Sequence, residues 1–326
     1  MTIDISALCS VNRLLMEEEL IPVQGTRFQP TGFPNLGAAT FTRPDGTEML
    51  LVESAQSMAN RLEMVAWDEE RQDLVKELDG IPYVRAIDLD GKVLTNSLLE
   101  SHRINSPYFL EGEDKSFFQK LAEDTNIGVE GAVSIPDVAR IVFRYDPNSV
   151  IHGVFLAKGE LGGGQLRLKR LLSSFIEAEE VCPAESGGVK MDRINPKGDT
   201  NKGFGHVPFH RTEFTAGRIR VFFNIDLSAL RSYNLPTEAK QLLLDLSLWK
   251  IRRLLGSGLR LRTACDLEPR NTLIVKPEGF ALPDQGDLDK AVGDGIRSCA
   301  SLFVEPRVTE VTWMPPRGRK KEQGDD

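Results

Sequence analysis

The sequence predicts an α+β fold whose core follows the order β-α-β-β-α-β, and three segments carry this prediction. Residues 217–226 and 258–267 each alternate between apolar and polar side chains, as strands with one buried face do. Residues 236–255, which lie between them, are apolar almost throughout, as in a buried helix. These segments favour a sheet covered by helices.

The first half of the predicted core lies upstream. Residues 151–157 are predicted to form the first strand. A glycine run at residues 162–164 then precedes a predicted helix over residues 165–178. Its apolar residues at helical spacing are Leu168, Leu171, Leu172, Phe175 and Ile176. A second strand is expected at about residues 178–182, and a polar connection follows as far as about residue 206.

The second half of the predicted core is clearer. Residues 217–226 form the third strand, with one apolar face made of Ile219, Val221, Phe223 and Ile225. In the second helix Pro236 suits the first turn and Gly256 suits the C-cap. Residues 258–267 supply the fourth strand.

This order is the ferredoxin-like arrangement, which is also the topology of the RRM, and both helices then cover one face of the sheet. Two strands carry Arg-x-Arg, and their apolar residues are needed beneath the helices. We therefore expect the arginines on the open face, where they would bind an anion. These arginines are Arg218, Arg220, Arg260 and Arg262.

The domain organisation follows from these elements. Residues 1–137 are interpreted as an N-terminal part with helical and loop insertions packed on the core, and residues 138–312 as the RRM-like core itself. Within the N-terminal part, residues 48–52 are predicted to form a strand, and Ser54 is expected to cap a helix. Residues 313–326 are predicted to be a disordered tail.

Composition and charge narrow the class of protein. Apolar residues make up 40% of the 326 residues and charged residues 27%, as in soluble globular proteins. The net charge of −8 is uneven: residues 1–130 carry 23 acids and 11 bases, whereas Arg140 to Arg262 contains 20 bases and 12 acids. A basic middle indicates an anionic ligand, or else a solvated basic face.

Targeting and redox signals are missing. The N-terminus has no basic region before an apolar run, and no segment approaches about 20 apolar residues, so we expect a cytoplasmic protein without a membrane partner. The four cysteines lack any Cys-x-x-Cys pair, which argues against a zinc site and a disulfide framework. They are Cys9, Cys182, Cys265 and Cys299.

The segment KGFGHVPFHRTEF, residues 202–214, is the most unusual in the chain. Its two histidines stand four residues apart, but Pro208 and the preceding glycines exclude a helix, and the His-Glu-x-x-His pattern is absent. A metal site is therefore not expected. Acid/base catalysis by His206 and His210 stays open, because paired histidines can cleave RNA without a metal.

A nucleic-acid surface is the interpretation that this segment favours. KGFGHVPF departs from the RNP1 consensus of RNA-binding sheets only where His206 replaces an aromatic residue. Its rings can stack on bases, and Lys202 and Arg211 can neutralise phosphates. The alternative is a loop whose phenylalanines anchor it to the core. The sequence has no phosphate-binding loop for a nucleoside triphosphate and no dinucleotide fingerprint, so no cofactor is expected.

Several ungapped blocks resemble one known family. They are LLVESAQSMANRLE (residues 50–63), SHR (101–103), IHGVFLA (151–157), GHVPFHRTEFTA (205–216) and LWKIRRLLGSGLRLRTACDL (248–267). Over most of residues 12–268 the sequence is similar to the type I-G (formerly type I-U) CRISPR-associated RAMP protein, the Cas-seven-type backbone subunit of the Cascade surveillance complex.

The resemblance implies a fold and a function. The fold is an RRM-like palm with large insertions that form finger and thumb elements, and residues 183–215 are the candidate thumb-like segment. Several copies would form a homo-oligomeric filament along one CRISPR RNA, pair it with a complementary target DNA strand, and join other Cascade subunits in a ribonucleoprotein for antiviral defence. Because family members in type I systems are binding subunits, the resemblance implies a non-catalytic protein. The alternatives are a metal-independent CRISPR RNA-processing endoribonuclease using His206 and His210, and an assembly subunit that docks an acidic protein.

The predicted RNA-binding residues come from both lines of reasoning. The resemblance assigns guide contacts to Asn60, Arg61, His102 and Arg103, with a structural helix and a capped turn as alternatives. Phosphate contacts are predicted for Lys202 and the four arginines of the open face. Stacking is predicted for Phe204, His206, Phe209 and Phe222, and His210 and Arg211 complete the set.

Overall fold

The computed structural model describes residues 6–33, 35–125, 134–158, 161 and 166–315. The described residues form the strands β1 (Arg13–Pro22), β2 (Gly32–Phe33), β3 (Gly37–Ala38), β4 (Thr40–Thr42), β5 (Glu48–Glu53), β6 (Trp67–Asp68), β7 (Asp73–Leu74), β8 (Tyr83–Ile87), β9 (Val93–Asn96), β10 (Val154–Leu156), β11 (Leu166–Leu168), β12 (Leu172–Glu179), β13 (Cys182–Lys190), β14 (Val207–Thr215), β15 (Arg218–Asp226), β16 (Leu259–Arg262), β17 (Cys265–Pro269), β18 (Ile274–Lys276) and β19 (Val308–Thr312). The α-helices are α1 (Ala55–Met64), α2 (Pro107–Leu110), α3 (Ser116–Thr125), α4 (Ile135–Tyr145), α5 (Pro147–His152), α6 (Leu227–Ser232), α7 (Thr237–Gly256) and α8 (Gln285–Ser298).

An eight-stranded sheet forms the centre of the molecule. Its order is β16-β17-β1-β15-β12-β5-β4, and β18 also pairs with β1. Strands β1 and β15 lie antiparallel in the middle, with β17 beyond β1 and β12 beyond β15. In chain order these four strands, with α1 after the first and α7 after the third, give β-α-β-β-α-β. The predicted α+β class and its ferredoxin-like core are therefore confirmed.

The sheet forms where side chains alternate between two environments. In β15 the residues Ile219, Val221, Phe223 and Ile225 are buried, and the residues between them lie on the opposite face. Strand β1 alternates in the same way, with Leu14, Met16 and Leu20 buried. This period of two is what a strand with one face on the core requires.

Two helices cover the apolar face. Helix α1 begins at the predicted cap, where the Ser54 hydroxyl accepts a hydrogen bond from the Ser57 N–H at 3.2 Å. Helix α7 is buried over most of its length and contacts α1, α5 and α8. Pro236 is its N-cap and Gly256 its last residue, so each lies one position from the expected place. The predicted strand at residues 48–52 is confirmed as β5.

The first half of the core is where the sequence prediction is wrong. Residues 151–157 do not form the first strand; α5 ends within them at His152, and the short strand β10 follows and pairs only with β11. The core's first strand is β1, so the sheet takes strands from both predicted parts of the chain. The glycine run at residues 162–164 lies outside the described residues.

The predicted helix at residues 165–178 is also wrong, because this segment contains β11 and β12. Its apolar residues fit both periods, but in β12 the buried positions are Leu172, Ser174, Ile176 and Ala178. Phe175 lies on the other face. Strand pairing with β15 and β5 decides the outcome, which the spacing of a short apolar run cannot do.

The C-terminal end of the described chain is packed. The Trp313 N–H donates to the Ile87 carbonyl at 2.7 Å, and its ring contacts Tyr108 edge to face at 5.0 Å between centroids. Residues 316–326 of the predicted tail lie outside the described residues. No helix in the described ranges is long and apolar enough to cross a membrane. Cys182 is an exposed free thiol, and Cys265 and Cys299 are buried free thiols.

Candidate nucleic-acid interface

The open face of the sheet carries the predicted arginines, but its own glutamates pair with them. Arg218 lies 3.2 Å from Glu179 and 3.9 Å from Glu19. Arg220 lies 3.2 Å from Glu17 and 3.4 Å from Glu179. The carboxylates come from β1 and β12, which flank β15 on both sides. The expectation of a positively charged open face is therefore wrong.

The two arginines of the second predicted Arg-x-Arg pair lie in different environments. Arg262 is partly buried, forms an ion pair with Glu53 and donates to the Gln29 carbonyl at 3.0 Å. Arg260 is exposed and lies opposite Asp266 in the ladder. The ion pair of Arg262 holds it within the fold, whereas Arg260 is available to solvent. RNA contact by these residues stays a prediction that the geometry supports only at Arg260.

Phe222 is also engaged within the sheet. Its ring stacks on Phe175 with centroids 4.9 Å apart, and the Arg220 guanidinium lies 5.2 Å from its centroid. The ring therefore already has an aromatic neighbour and a cationic neighbour within the protein. The predicted stacking on a base would have to displace one of these neighbours.

The segment predicted as a polar connection is a long β-hairpin, which we call the β13–β14 hairpin. Its strands pair from Cys182 opposite Thr215 to Lys190 opposite Val207, and no other strand of the described residues joins this two-stranded sheet. Because β13 follows β12 and β14 precedes β15, the hairpin prolongs the two adjacent strands out of the main sheet. Pro208 is tolerated because only one partner strand is present.

The tip of the hairpin is built around one carboxylate. Asp192 accepts hydrogen bonds from the backbone N–H groups of Ile194 and Gly205, each at 2.8 Å, and of Asn195 at 3.0 Å. These donors lower the pKa of Asp192. The Asp192 N–H in turn donates to Nδ1 of His206 at 3.0 Å. These hydrogen bonds close the turn.

Gly205 in the RNP1-like motif has a role in this turn. Its φ is +83°, and a Cβ there would lie 2.4 Å from the Gly198 carbonyl oxygen. Only glycine permits both the left-handed conformation and this close approach. The motif's glycine therefore shapes the loop.

Aromatic rings and cations project from the hairpin. Phe204 is 52% exposed and Phe209 is 50% exposed, so the alternative that they anchor the loop is wrong for both. Phe214 is the anchor, because it is buried and pairs with Phe28 through backbone hydrogen bonds of 2.9 Å. The Arg211 guanidinium lies 5.6 Å from the Phe209 centroid.

The hairpin carries both the predicted cations and others that the sequence did not single out. Of the predicted ones, Lys202 lies 3.9 Å from Asp199 and Arg211 lies 3.9 Å from Glu213, each at the limit of an ion pair. Three more side chains are exposed and form no ion pair within the described ranges: Lys190, Arg193 and Lys197. Their signal was available in the sequence, since all three fall in the segment predicted as a polar connection, where Lys190 ends β13 and the other two lie in the turn.

The two histidines do not form a compact pair. His210 lies in β14 with Nε2 at 2.5 Å from Glu185, whereas His206 precedes the strand and contacts Asp192. Four residues of extended chain separate their Cα atoms by about 13 Å. That separation is long for two groups acting on one phosphate.

The residues assigned by resemblance differ in accessibility. Asn60 is exposed on α1 and accepts from the Gln56 amide at 3.0 Å, and His102 is exposed in a turn. Arg61 is half-buried, where it pairs with Glu53 at 3.2 Å. Arg103 is 5% exposed and donates to both carboxylate oxygens of Glu63, at 2.7 and 2.8 Å. This buried pair gives Arg103 a structural role, so the geometry does not support its predicted guide contact.

A buried polar network continues from this pair. The Lys250 ammonium donates to the Leu62 carbonyl at 3.1 Å and to the Asn148 side-chain oxygen at 2.6 Å, and lies 3.2 Å from Nε2 of His152. Burial lowers the pKa of Lys250 to about 8 and also lowers the pKa of His152 well below its ordinary value. Burial raises the pKa of the nearby Asp146. These groups hold α1, α5 and α7 together.

Comparison with known proteins places the chain in a family. The model of CRISPR-associated protein GSU0053 matches residues 14–183, which is more than half of the chain. The chain belongs to this family. The GSU0053 match includes β1, α1 and β12 and ends at the start of the β13–β14 hairpin.

In the described ranges, no group of three or more histidine, cysteine or acidic side chains could hold a metal ion.

Two solved structures are similar in outline. A chain titled "CRISPR RNA-guided surveillance complex, pre-nicking" is 14% identical with a TM-score of 0.42, over 89% of this chain and 85% of that one. Csc2 of Thermofilum pendens is 10% identical with a TM-score of 0.33, over 92% and 80%. Both scores are low, so the family assignment depends on the sequence match. Comparison with curated proteins gives no match.

Proposed function

We propose that this chain is a non-catalytic CRISPR RNA-binding backbone subunit of a type I-G Cascade complex. Several copies would polymerise along one guide in the cytoplasm, together with other Cascade subunits, and support its pairing with target DNA in antiviral defence. The observation that carries the proposal is the β13–β14 hairpin, which presents exposed rings and cations in a member of a CRISPR-associated family.

The hairpin's chemistry suits single-stranded RNA of any sequence. Stacking on an exposed ring contributes about 1–3 kcal/mol per base and accepts every base, because each has a π-face. Phe204 and Phe209 offer two such rings, and Arg211 lies beside one of them. The neighbouring cations can contact phosphates, which give affinity without sequence information. A guide-binding subunit requires this combination, since the spacer sequence varies.

The internal ion pairs of the sheet move the proposed interface away from the open face. Arg218 and Arg220 would have to exchange carboxylates for phosphates, so their net gain on binding RNA is small. The hairpin cations Lys190, Arg193 and Lys197 have no such competitor among the described residues. We therefore assign the main guide contacts to the hairpin.

A paired variant tests this assignment. Phe204→Ala with Phe209→Ala should weaken binding of a labelled single-stranded RNA by roughly thirty-fold or more, because two stacking contacts are lost. Phe41→Ala is the matched control, since Phe41 is 43% exposed on the edge strand β4. Equal RNA affinity in the hairpin variant and the control would refute the assignment.

The endoribonuclease alternative makes a different prediction. If His206 and His210 cleave the guide, the wild-type protein should cleave a CRISPR repeat RNA, and replacement of both histidines by alanine should abolish that cleavage. The separation of about 13 Å favours a binding role instead. We expect no metal-independent cleavage by the wild-type protein, and the double variant should change affinity alone.

The nucleic acid that co-purifies with the protein distinguishes a guide-binding subunit from an assembly subunit that docks an acidic protein. A uniform short RNA in the purified protein, with dissociation of oligomers on RNase treatment, is the outcome expected of a guide-binding subunit. Oligomers that persist after RNase treatment and contain no RNA would instead favour docking between proteins.

A further inference from the structure

A second cationic surface lies away from the hairpin. It is an open groove of about 400 Å³ between the turn at Ser101–Arg103, the β10–β11 pair and the first turn of α1. We call it the β10–β11 groove. Its basic side chains are His102, Arg103, Arg167, Lys169 and Arg170, and none of the described lining residues is an aspartate or glutamate.

The outer cations of the groove are available to a ligand. Arg167 and Lys169 are exposed and form no ion pair with the described residues. The Arg167 guanidinium lies 5.2 Å from the centroid of Phe155, which is itself 43% exposed. This pair differs from the arginines of the sheet, whose charges are matched by Glu17, Glu19 and Glu179.

The inner cations are fixed in place. Arg170 donates to the Ala55 carbonyl at 2.9 Å and also to the Gln56 side chain. Burial, and after it the nearby Arg103 cation, lower the pKa of Arg170. The Glu63 carboxylate, which pairs with Arg103, offsets part of this repulsion, and neither Ala55 nor Gln56 adds a counter-charge.

The floor of the groove is rigid and rich in donors. Gly153 has a φ of +79°, and a Cβ there would lie 2.8 Å from the Leu168 carbonyl oxygen. The Arg103 guanidinium donates to the Gly153 carbonyl at 3.1 Å. In the adjacent His152, Nε2 lies 3.2 Å from the Lys250 ammonium, and the buried Nδ1 has no hydrogen-bond partner among the described residues.

We infer that the β10–β11 groove binds the phosphodiester backbone of a single RNA strand, as a second contact separate from the hairpin. Arg167 and Lys169 contact phosphates, and the Phe155 ring is placed to stack beside them. The inference rests on the proposed function, since it takes the ligand to be the strand that the hairpin holds.

Two exposed substitutions test the groove without disturbing the core. Arg167→Gln with Lys169→Gln should flatten the log-log dependence of RNA affinity on salt by about 1.4, because each phosphate contact contributes about 0.7. The control is Lys76→Gln with Lys290→Gln, which removes the same charge from two exposed lysines that do not line the groove. We expect the control to keep the wild-type slope. A groove variant with the wild-type slope would overturn the inference.

The outcome also separates the two proposals. If the groove variant keeps full affinity while the Phe204 and Phe209 variant loses it, the groove is excluded and the hairpin stands. If only the groove variant loses affinity, the hairpin assignment fails and the groove stands. Cross-linking of a 4-thiouridine RNA followed by peptide mapping gives an independent readout, with cross-links to residues 153–158 or 166–170 expected. Cross-links confined to the hairpin would contradict a groove contact.

Discussion

The open face of the sheet and the β13–β14 hairpin carry similar side chains but present them differently. On the sheet, Arg220 lies opposite Glu19 on one side and opposite Glu177 on the other. On the hairpin, exposed rings and lysines stand on a ribbon with no neighbouring strand. An arginine in a strand is therefore available to a ligand only when the flanking strands leave its charge unmatched.

Removing the hairpin gives the largest expected effect on this comparison. Replacing residues 185–212 by a short Gly-Ser linker leaves β12, β15 and the Phe214 anchor in place. RNA affinity should fall at least as far as in the two-phenylalanine variant, by roughly thirty-fold or more. Fluorescence anisotropy measures the affinity, and thermal unfolding verifies the fold. Affinity that survives this deletion would assign the main binding to the sheet or to the β10–β11 groove.

The stability of the fold should depend much more on the buried ion pair of Arg103 with Glu63 than on an exposed ion pair of the sheet. Arg103→Leu leaves the Glu63 carboxylate buried without its main partner, which should lower the free energy of unfolding by about 3–5 kcal/mol. Arg218→Leu, on the exposed sheet face, should cost about 1 kcal/mol or less. Denaturant unfolding at neutral pH compares the two. Similar losses in both variants would contradict the distinction.

Lys250 is a buried cation, unlike the exposed lysines of the hairpin. Burial lowers its pKa from 10.5 to about 8, so between these pH values the unfolded chain holds this proton more often than the folded protein does. The contribution of this group to stability therefore rises with pH across that window, by up to about 3 kcal/mol.

The matched variant for this prediction is Lys250→Met. Tyrosines and cysteines also titrate above pH 8, but they do so in both proteins. The difference in unfolding free energy between wild type and variant should therefore shift in favour of the wild type from pH 8 to pH 10. A constant difference would show that Lys250 does not change its proton affinity on folding.

The smallest effect is expected from the arginines of the sheet. Arg218→Gln with Arg220→Gln should change the log-log salt slope of RNA binding by less than about 0.7, because their charges are already matched by glutamates. Glu17→Gln with Glu179→Gln is the converse variant, and it should steepen the slope because each guanidinium group loses its nearest carboxylate. A large flattening in the arginine variant would show that RNA displaces the glutamates.

Part of the fold could be predicted from the sequence because some segments have one clear period. Residues 217–226 alternate strictly, and α7 is long and apolar, so both were placed within a residue or two. Strand β12 could not be placed, since its apolar residues fit a helix as well. Strand β1 lies more than 150 residues before its partner in the ladder, and no local pattern joins the two.

The types of side chain in the candidate site could be predicted, but their exposure and ion pairing could not. The RNP1-like segment marks the hairpin's rings and Lys202, although the glycines and prolines of both arms concealed its strands. The neutralisation of Arg218 depends on the register with β1 and β12. The burial of Arg103 depends on Glu63, which stands 40 residues earlier in the chain. Neither fact can be read from residue types alone.

Because the two arms of the hairpin are prolongations of β12 and β15, a pull on its tip along the arms is carried into two adjacent strands at the middle of the sheet. Such a load shears a whole ladder of hydrogen bonds at once instead of unzipping them singly. A projection attached in this way can bear tension from a long polymer without unravelling the body that holds it.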